Sequence, residues 1–221
     1  MEIKARRWYH AARKTARERK VETLPTHPAC GFVHSELTGL AFGEEATMND
    51  AGTPSCHMLD VRELTAEAFA PYGQVIAPLR TGGQGAETSY DPEASAGEAK
   101  LVLGNGEPRL WIMHLPHVGL GFTRIARQRR VTQCLGSLGG KEWLIGVAPP
   151  GDFSDDARPR LEDIAAFRVP GDRLIKLHVA TWHAGPHFVH DECLFVNLEN
   201  RDTNRRDFHT VPLSAECRYR L

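Results

Sequence analysis

From about residue 101 the chain keeps returning to one unit: a short apolar run followed by a tight turn. "RLWIMHL" (109–115), "GFTRIAR" (121–127), "VTQCLGS" (131–137) and "EWLIGVA" (142–148) are divided by "PHVG", "RQR", "LGGK" and "PPGD". These runs are rich in β-branched and aromatic residues, which fit a pleated surface, and they are too short for ordinary helices. "AAFRV", the turn Pro170-Gly171-Asp172, "RLIKLHV", "CLFVNLE" (193–199) and "DFHTVPL" (207–213) continue the pattern. Short strands spaced by about 8–12 residues argue for an all-β sandwich or barrel. Upstream, "MLDVREL" reads as a strand, and "LTAEAFAPYG" as a short helix. Thr65 is placed to cap that helix, and Pro71 and Gly73 end it. "QVIAP" reads as another strand, and residues 80–100 form a long polar loop.

Composition decides how much of the chain that domain takes. With 221 residues and 41% hydrophobic content, a core can be buried without disulfide or metal staples. Residues 1–56 show no sustained period and read as an irregular basic extension, leaving 57–221 as the regular domain. The first twenty residues hold eight Lys/Arg against Glu2 and Glu18, so the remainder is acidic although the whole chain is at −1. Such an arm is a solvated tail or an organellar targeting segment, with a cytoplasmic location expected otherwise. Nucleic acid is not an expected partner, since only the arm is basic and no zinc-finger or RNA-binding aromatic pattern accompanies it. Cys30, Cys56, Cys134, Cys193 and Cys217 are scattered without a CxxC pair, which argues against a disulfide scaffold and for a reducing compartment. No apolar run nears the ~18 residues of a membrane span, so no membrane partner is expected. The phosphate-binding GxGxxG and GxxxxGK patterns are absent.

The chemistry concentrates in "KLHVATWHAGPHFVH", where residues 176–190 carry four histidines and a tryptophan. On an unbroken strand His178 and His183 would face opposite sides. A bend at Val179-Ala180-Thr181 removes that restriction. Beyond it, a regular strand would put His183, Gly185 and His187 on one face and send Trp182 to packing. His187 and His190 read as rim groups, Trp143 and Trp182 as core aromatics, and Cys134 and Cys193 as small buried hydrophobes. Asn204 and Asp207 read as turn-shaping residues.

A "PGD" turn leading into a strand, a tight turn and a "WH" pair resembles the second conserved motif of the cupin superfamily. "VTQCLGSLGGKEWLIGVAPPGD", "FRVPGDRLIKLHVATWHAGPHF" and "FVNLENRDTNRRDFHT", with "LTAEAFAPYGQVIAP" upstream, together resemble the ureidoglycolate lyase family, in particular its plant-type branch. The resemblance covers about 57–212. It implies a cupin-type double-stranded β-helix, a jelly-roll barrel with a few short helices, and a homodimer. It also implies cleavage of ureidoglycolate to glyoxylate and urea, within allantoin breakdown. That reaction needs a base for the hydroxyl proton, an acid for the departing nitrogen, and a cation for the carboxylate. On this resemblance His183 is the proton-transfer group or a metal ligand, assisted by His178 or Lys176. Arg124 or Arg127 takes the carboxylate, and Gln133, Asn197 and Glu199 meet the ureido end. A divalent metal, nickel or another, would draw on His183, His178 and Gln133. This chain lacks the first-motif histidines of metal-binding cupins over 131–151. It also has Gln128-Arg129-Arg130-Val131 where bacterial members carry a histidine-proline. The competing reading is a cupin that binds a small carboxylate metabolite, without catalysis or with another specificity.

Overall fold

A computed structural model describes residues 56–78 and 97–221. The basic extension before residue 56 and most of the polar 80–100 loop lie outside the described residues. Within them the chain forms eleven strands and two short helices. In chain order these are β1 (Cys56–Glu63), α1 (Ala66–Phe69), β2 (Gly73–Ile76), β3 (Pro108–Pro116), β4 (Gly121–Gln128), β5 (Gln133–Ser137) and β6 (Gly140–Ala148). After a 3-10 turn at Leu161–Asp163 come β7 (Ala165–Gly171), β8 (Leu174–Leu177), β9 (Trp182–His187), β10 (Glu192–Asn200), α2 (Thr203–Arg206) and β11 (Phe208–Arg220). Among them, no helix is long and apolar enough to cross a membrane.

The strands build two layers. β1-β11-β4-β9-β6-β7 close into a barrel, and β2-β8-β5-β10-β3 form a separate five-stranded sheet. The all-β jelly-roll expectation therefore holds. Alternation along β6 shows how the layers share a wall. Leu144 and Ala148 point into the barrel, where they meet Leu59, Phe122, Ala166, Trp182, Ala184, Val211 and Tyr219. Ile145 and Val147 point the opposite way and are fully buried. Phe167 and Val169, also fully buried, pair with Ile145 and Trp143 on that outer face of the barrel wall.

The same alternation orients the sheet. Ile175 and Leu177 of β8 pair with Leu135 and Gln133 of β5. Asn197 pairs with Leu135 on one side and Trp111 on the other. Directly paired residues share a face, so Ile175, Leu177, Gln133, Leu135, Asn197 and Trp111 all lie on one face.

Local signals set α1 and β2 in place. Thr65 Oγ1 accepts from Ala68 N at 3.1 Å, the N-cap expected from sequence. Phe69, Tyr72 and Phe167 then stack edgewise with centroids 5.3–5.9 Å apart, which pins the helix to the core. Gly73 allows the close approach of β2 to β8, because a Cβ there would sit 2.0 Å from the Lys176 carbonyl oxygen.

Several strand ends shift from the sequence reading, β8 and β11 among them. β8 ends at Leu177, two residues before the expected end of "RLIKLHV". β11 runs to Arg220, well past the expected "DFHTVPL", because a register shift between Pro212 and Cys217 lets it continue along β4 while pairing β1.

Candidate functional site

Three segments converge where the barrel wall meets the sheet. The bend predicted between His178 and His183 is real: Ala180 is fully buried with φ 66, in the left-handed region. Its N–H donates to the Gln128 carbonyl at 2.6 Å, tying the bend to the end of β4. β9 then starts with Trp182 in the barrel core and His183 on the other face. His183 pairs with Ala126 of β4 and Val147 of β6, so its ring shares the face of Gln128, two residues along β4.

That face meets a chain of polar side chains from the sheet. Gln128 Nε2 donates to Gln133 Oε1 at 3.3 Å. Gln133 Nε2 reaches Asn197 Oδ1 at 3.2 Å and Glu199 Oε2 at 3.5 Å. Arg109 closes the chain with an ion pair to Glu199 Oε1 at 2.6 Å. Asn197 and Glu199 have no exposed surface. So many buried polar groups in one place cost stability unless each is bonded. Two are not: Arg109 Nε and Trp111 Nε1 are buried donors without an acceptor. The Arg109 guanidinium lies 4.5 Å from the Trp111 ring centroid.

His183 holds its lone pair on Nε2. Its Nδ1 lies 3.2 Å from the Thr181 carbonyl, which only accepts, so Nδ1 carries the proton and Nε2 the lone pair. Burial pushes its pKa below the usual histidine value, and the Thr181 contact offsets part of that shift.

The structure thus brings together His183, Gln133, Asn197 and Glu199 from the sequence-derived set. It sets the others apart. Lys176 pairs with Cys134 on the opposite face of the sheet from Gln133. Its Nζ donates to His178 Nδ1 at 3.0 Å, while His178 Nε2 donates to the Ala70 carbonyl at 3.2 Å. Burial lowers the Lys176 pKa and raises the Cys134 thiol to about 11. Lys176 and His178 therefore form a second pair, with both imidazole nitrogens engaged. Arg127 also turns away, since alternation sets it opposite Ala126 and Gln128. Its guanidinium lies 4.1 Å from the Trp182 centroid, and it donates to the carbonyls of Pro150, Asp152 and Ser154 and to His209 Nδ1. Arg124 keeps the Gln128 face but is exposed.

The same division tests a metal. His183, His178 and Gln133 do not share one face, and the described residues hold no group of three His, Cys, Asp or Glu fit to bind a metal ion. That donor set does not suit a divalent ion. His187, read as a rim group, is instead 4% exposed inside the barrel. A register shift in β9 between Ala184 and His187 turns it inward, stacked on Phe122 and bonded to Tyr219.

A family model described as ureidoglycolate lyase matches residues 56–219. The chain belongs to the ureidoglycolate lyase family. A ureidoglycolate lyase of Agrobacterium fabrum (strain C58 / ATCC 33970) is 30% identical over 136 residues, covering 57% of this chain and 74% of that relative. Ureidoglycolate lyase 1 of Rhizobium meliloti (strain 1021) is 30% identical over 166 residues, covering 69% of this chain and 89% of that relative. The match takes in every strand that supplies the polar chain. Gln128, Arg109 and Trp111 were not among the sequence-derived site residues. "RLWIMHL" announced a strand but not its partner, and only pairing with β10 shows that Arg109 faces Glu199.

Proposed function

We propose that this protein is a lyase that cleaves ureidoglycolate to glyoxylate and urea, with His183 as the base. The observation that carries the reading is the buried chain Gln128–Gln133–Asn197–Glu199–Arg109 laid against the His183 face, in a chain of the ureidoglycolate lyase family. His183 Nε2 takes the hydroxyl proton of the substrate. The O–H electrons form the aldehyde C=O, the C–N bond breaks, and the departing nitrogen takes that proton back from His183 Nε2 to become urea. The amides of Gln128, Gln133 and Asn197 offer both donors and acceptors, as a ureido group needs. Arg109, whose Nε has no acceptor, receives the carboxylate in place of Arg127. Arg124, exposed on the same strand face as Gln128, is a second cation for the approaching anion.

The test is a coupled assay for glyoxylate on added ureidoglycolate. Wild type should release glyoxylate, and His183→Ala should lower kcat/KM by roughly 10²–10⁴-fold. A wild type that yields none, or a variant that keeps full activity, sinks the assignment. The exposed outer face of the sheet supports a homodimer. Leu110, Ile112 and Leu194 stand 68%, 59% and 42% exposed there, on edge strand β3 and its neighbour β10. Ile112→Glu should then shift the sedimenting species from dimer to monomer.

A further inference from the structure

The bend before β9 turns the chain between His178 and Thr181 and holds Ala180 at φ 66. A residue with a Cβ keeps that conformation only where its surroundings impose it. Four hydrogen bonds impose it here. Ala180 N donates to the Gln128 carbonyl at 2.6 Å, and Thr181 N to the His178 carbonyl at 3.1 Å. The other two meet on one atom. The Tyr72 carbonyl accepts from His178 N at 2.9 Å and from Thr181 Oγ1 at 2.8 Å. A carbonyl has two lone pairs, and both are taken.

Of these four bonds, one comes from a side chain. Thr181 is 1% exposed, and its hydroxyl ties the bend to the corner between α1 and β2. Tyr72 is itself fixed at that corner. Its N–H donates to the Phe69 carbonyl at 2.9 Å, and its ring packs against Phe69 and Phe167.

From Thr181 the connection runs on to the imidazole. The Thr181 carbonyl is the hydrogen-bond partner of the His183 ring among the described residues. A neutral histidine takes the tautomer that suits the bond one of its ring nitrogens makes. With its proton on Nε2 instead, the ring would have no lone pair there to receive a substrate proton. Whatever holds residue 181 in place therefore decides which ring nitrogen is free.

We propose that Thr181 is a positioning residue: anchored on Tyr72, it holds the carbonyl that keeps the His183 proton on Nδ1. The catalytic consequence rests on the reading of His183 as the base, whereas the tautomer can be read without any turnover.

Isotopic labelling of the histidine ring nitrogens in the full chain tests this by NMR. At neutral pH burial keeps His183 uncharged, and His183→Ala identifies its signals. Wild type should show one tautomer, protonated at Nδ1. Two comparisons isolate the hydroxyl. Thr181→Val keeps the branched shape of the wild-type side chain, and Thr181→Ala differs from Thr181→Ser by the oxygen alone. The Tyr72 carbonyl retains its His178 bond in every variant, so it is never left without a donor. Thr181→Val and Thr181→Ala should mix the two tautomers and lower kcat by about tenfold or more, with KM held within about twofold. Thr181→Ser should keep the wild-type ring signals and most of the rate. The proposal is overturned if Thr181→Val and Thr181→Ala keep the single Nδ1-protonated form, if Thr181→Ser mixes tautomers as Thr181→Ala does, or if wild type carries the proton on Nε2. A wild type that releases no glyoxylate sinks the lyase reading and leaves the ring signals to decide this one.

Discussion

Glu199 has no exposed surface, and Arg109 at 2.6 Å is the one cation bonded to it among the described residues. Removing one partner of a buried pair leaves the other charge uncompensated, which costs more than the pair contributes net. Arg109→Met should therefore lower the unfolding free energy by about 3 kcal/mol in urea titrations. The double variant Arg109→Met/Glu199→Leu should recover most of that loss. Equal losses in single and double variants would mean that the pair is not a unit. His183 offers a kinetic counterpart. Its folded-state pKa is lowered by burial, so the neutral, proton-accepting form persists to more acid pH than in a free histidine. The acid limb of kcat/KM should accordingly fall below the ordinary histidine value of about 6.5. A limb above that value would assign the base to another group.

At the scale of single strands, Arg127 shows what a sequence makes legible and what it withholds. The run "GFTRIAR" reads as a strand, and alternation divides Arg124 and Ala126 from Ile125 and Arg127; the strand runs one residue further, to Gln128. Nothing in the run says which face meets the sheet and which meets the barrel core, because both faces of this wall are covered. Arg127 is buried against Trp182 and engages three carbonyls of the 150–154 loop. A buried arginine with its fork filled looks, in sequence, like any substrate-binding arginine. Arg127→Lys keeps the charge but not the planar fork. It should cost roughly 2 kcal/mol of stability and expose the 150–154 loop to limited proteolysis. If glyoxylate production also ceased with the loop intact, Arg127 would have a direct role. His187 misled for a different reason. Period-two alternation from His183 predicts a shared face, and the register shift in β9 breaks it. By contrast the strand runs, the Thr65 cap and the bend before Trp182 rest on local chemistry, and they were readable directly. Gln133, Asn197 and Glu199 come together because their strands are regular and pair with each other.

For the molecule as a whole, the closed barrel sets an acid limit on folding. His187 sits between Phe122 and Tyr219, with Nδ1 3.0 Å from the tyrosine hydroxyl. Burial, and in smaller part the charge of His117, pushes its pKa down to about 4. The groups around it, Tyr219 and the backbone of β6, carry no negative charge to stabilise an imidazolium. An unfolded chain takes up that proton near pH 6.5, while the folded chain resists until about pH 4. The unfolded state therefore binds more protons across that window, and stability falls as pH drops through it. The full linkage amounts to roughly 3 kcal/mol from this one residue, a large share of the ~5–15 kcal/mol that holds a domain together. Buried His183 and partly buried His178 are shifted in the same direction and add to the slope. Urea midpoints measured from pH 7 to 4.5 should drop steadily. His187→Gln keeps a hydrogen-bonding group for Tyr219 but has no proton to gain, so its midpoints should start lower at pH 7 and fall less steeply. A parallel decline in both proteins would place the acid sensitivity elsewhere, among the carboxylates of the surface ion pairs.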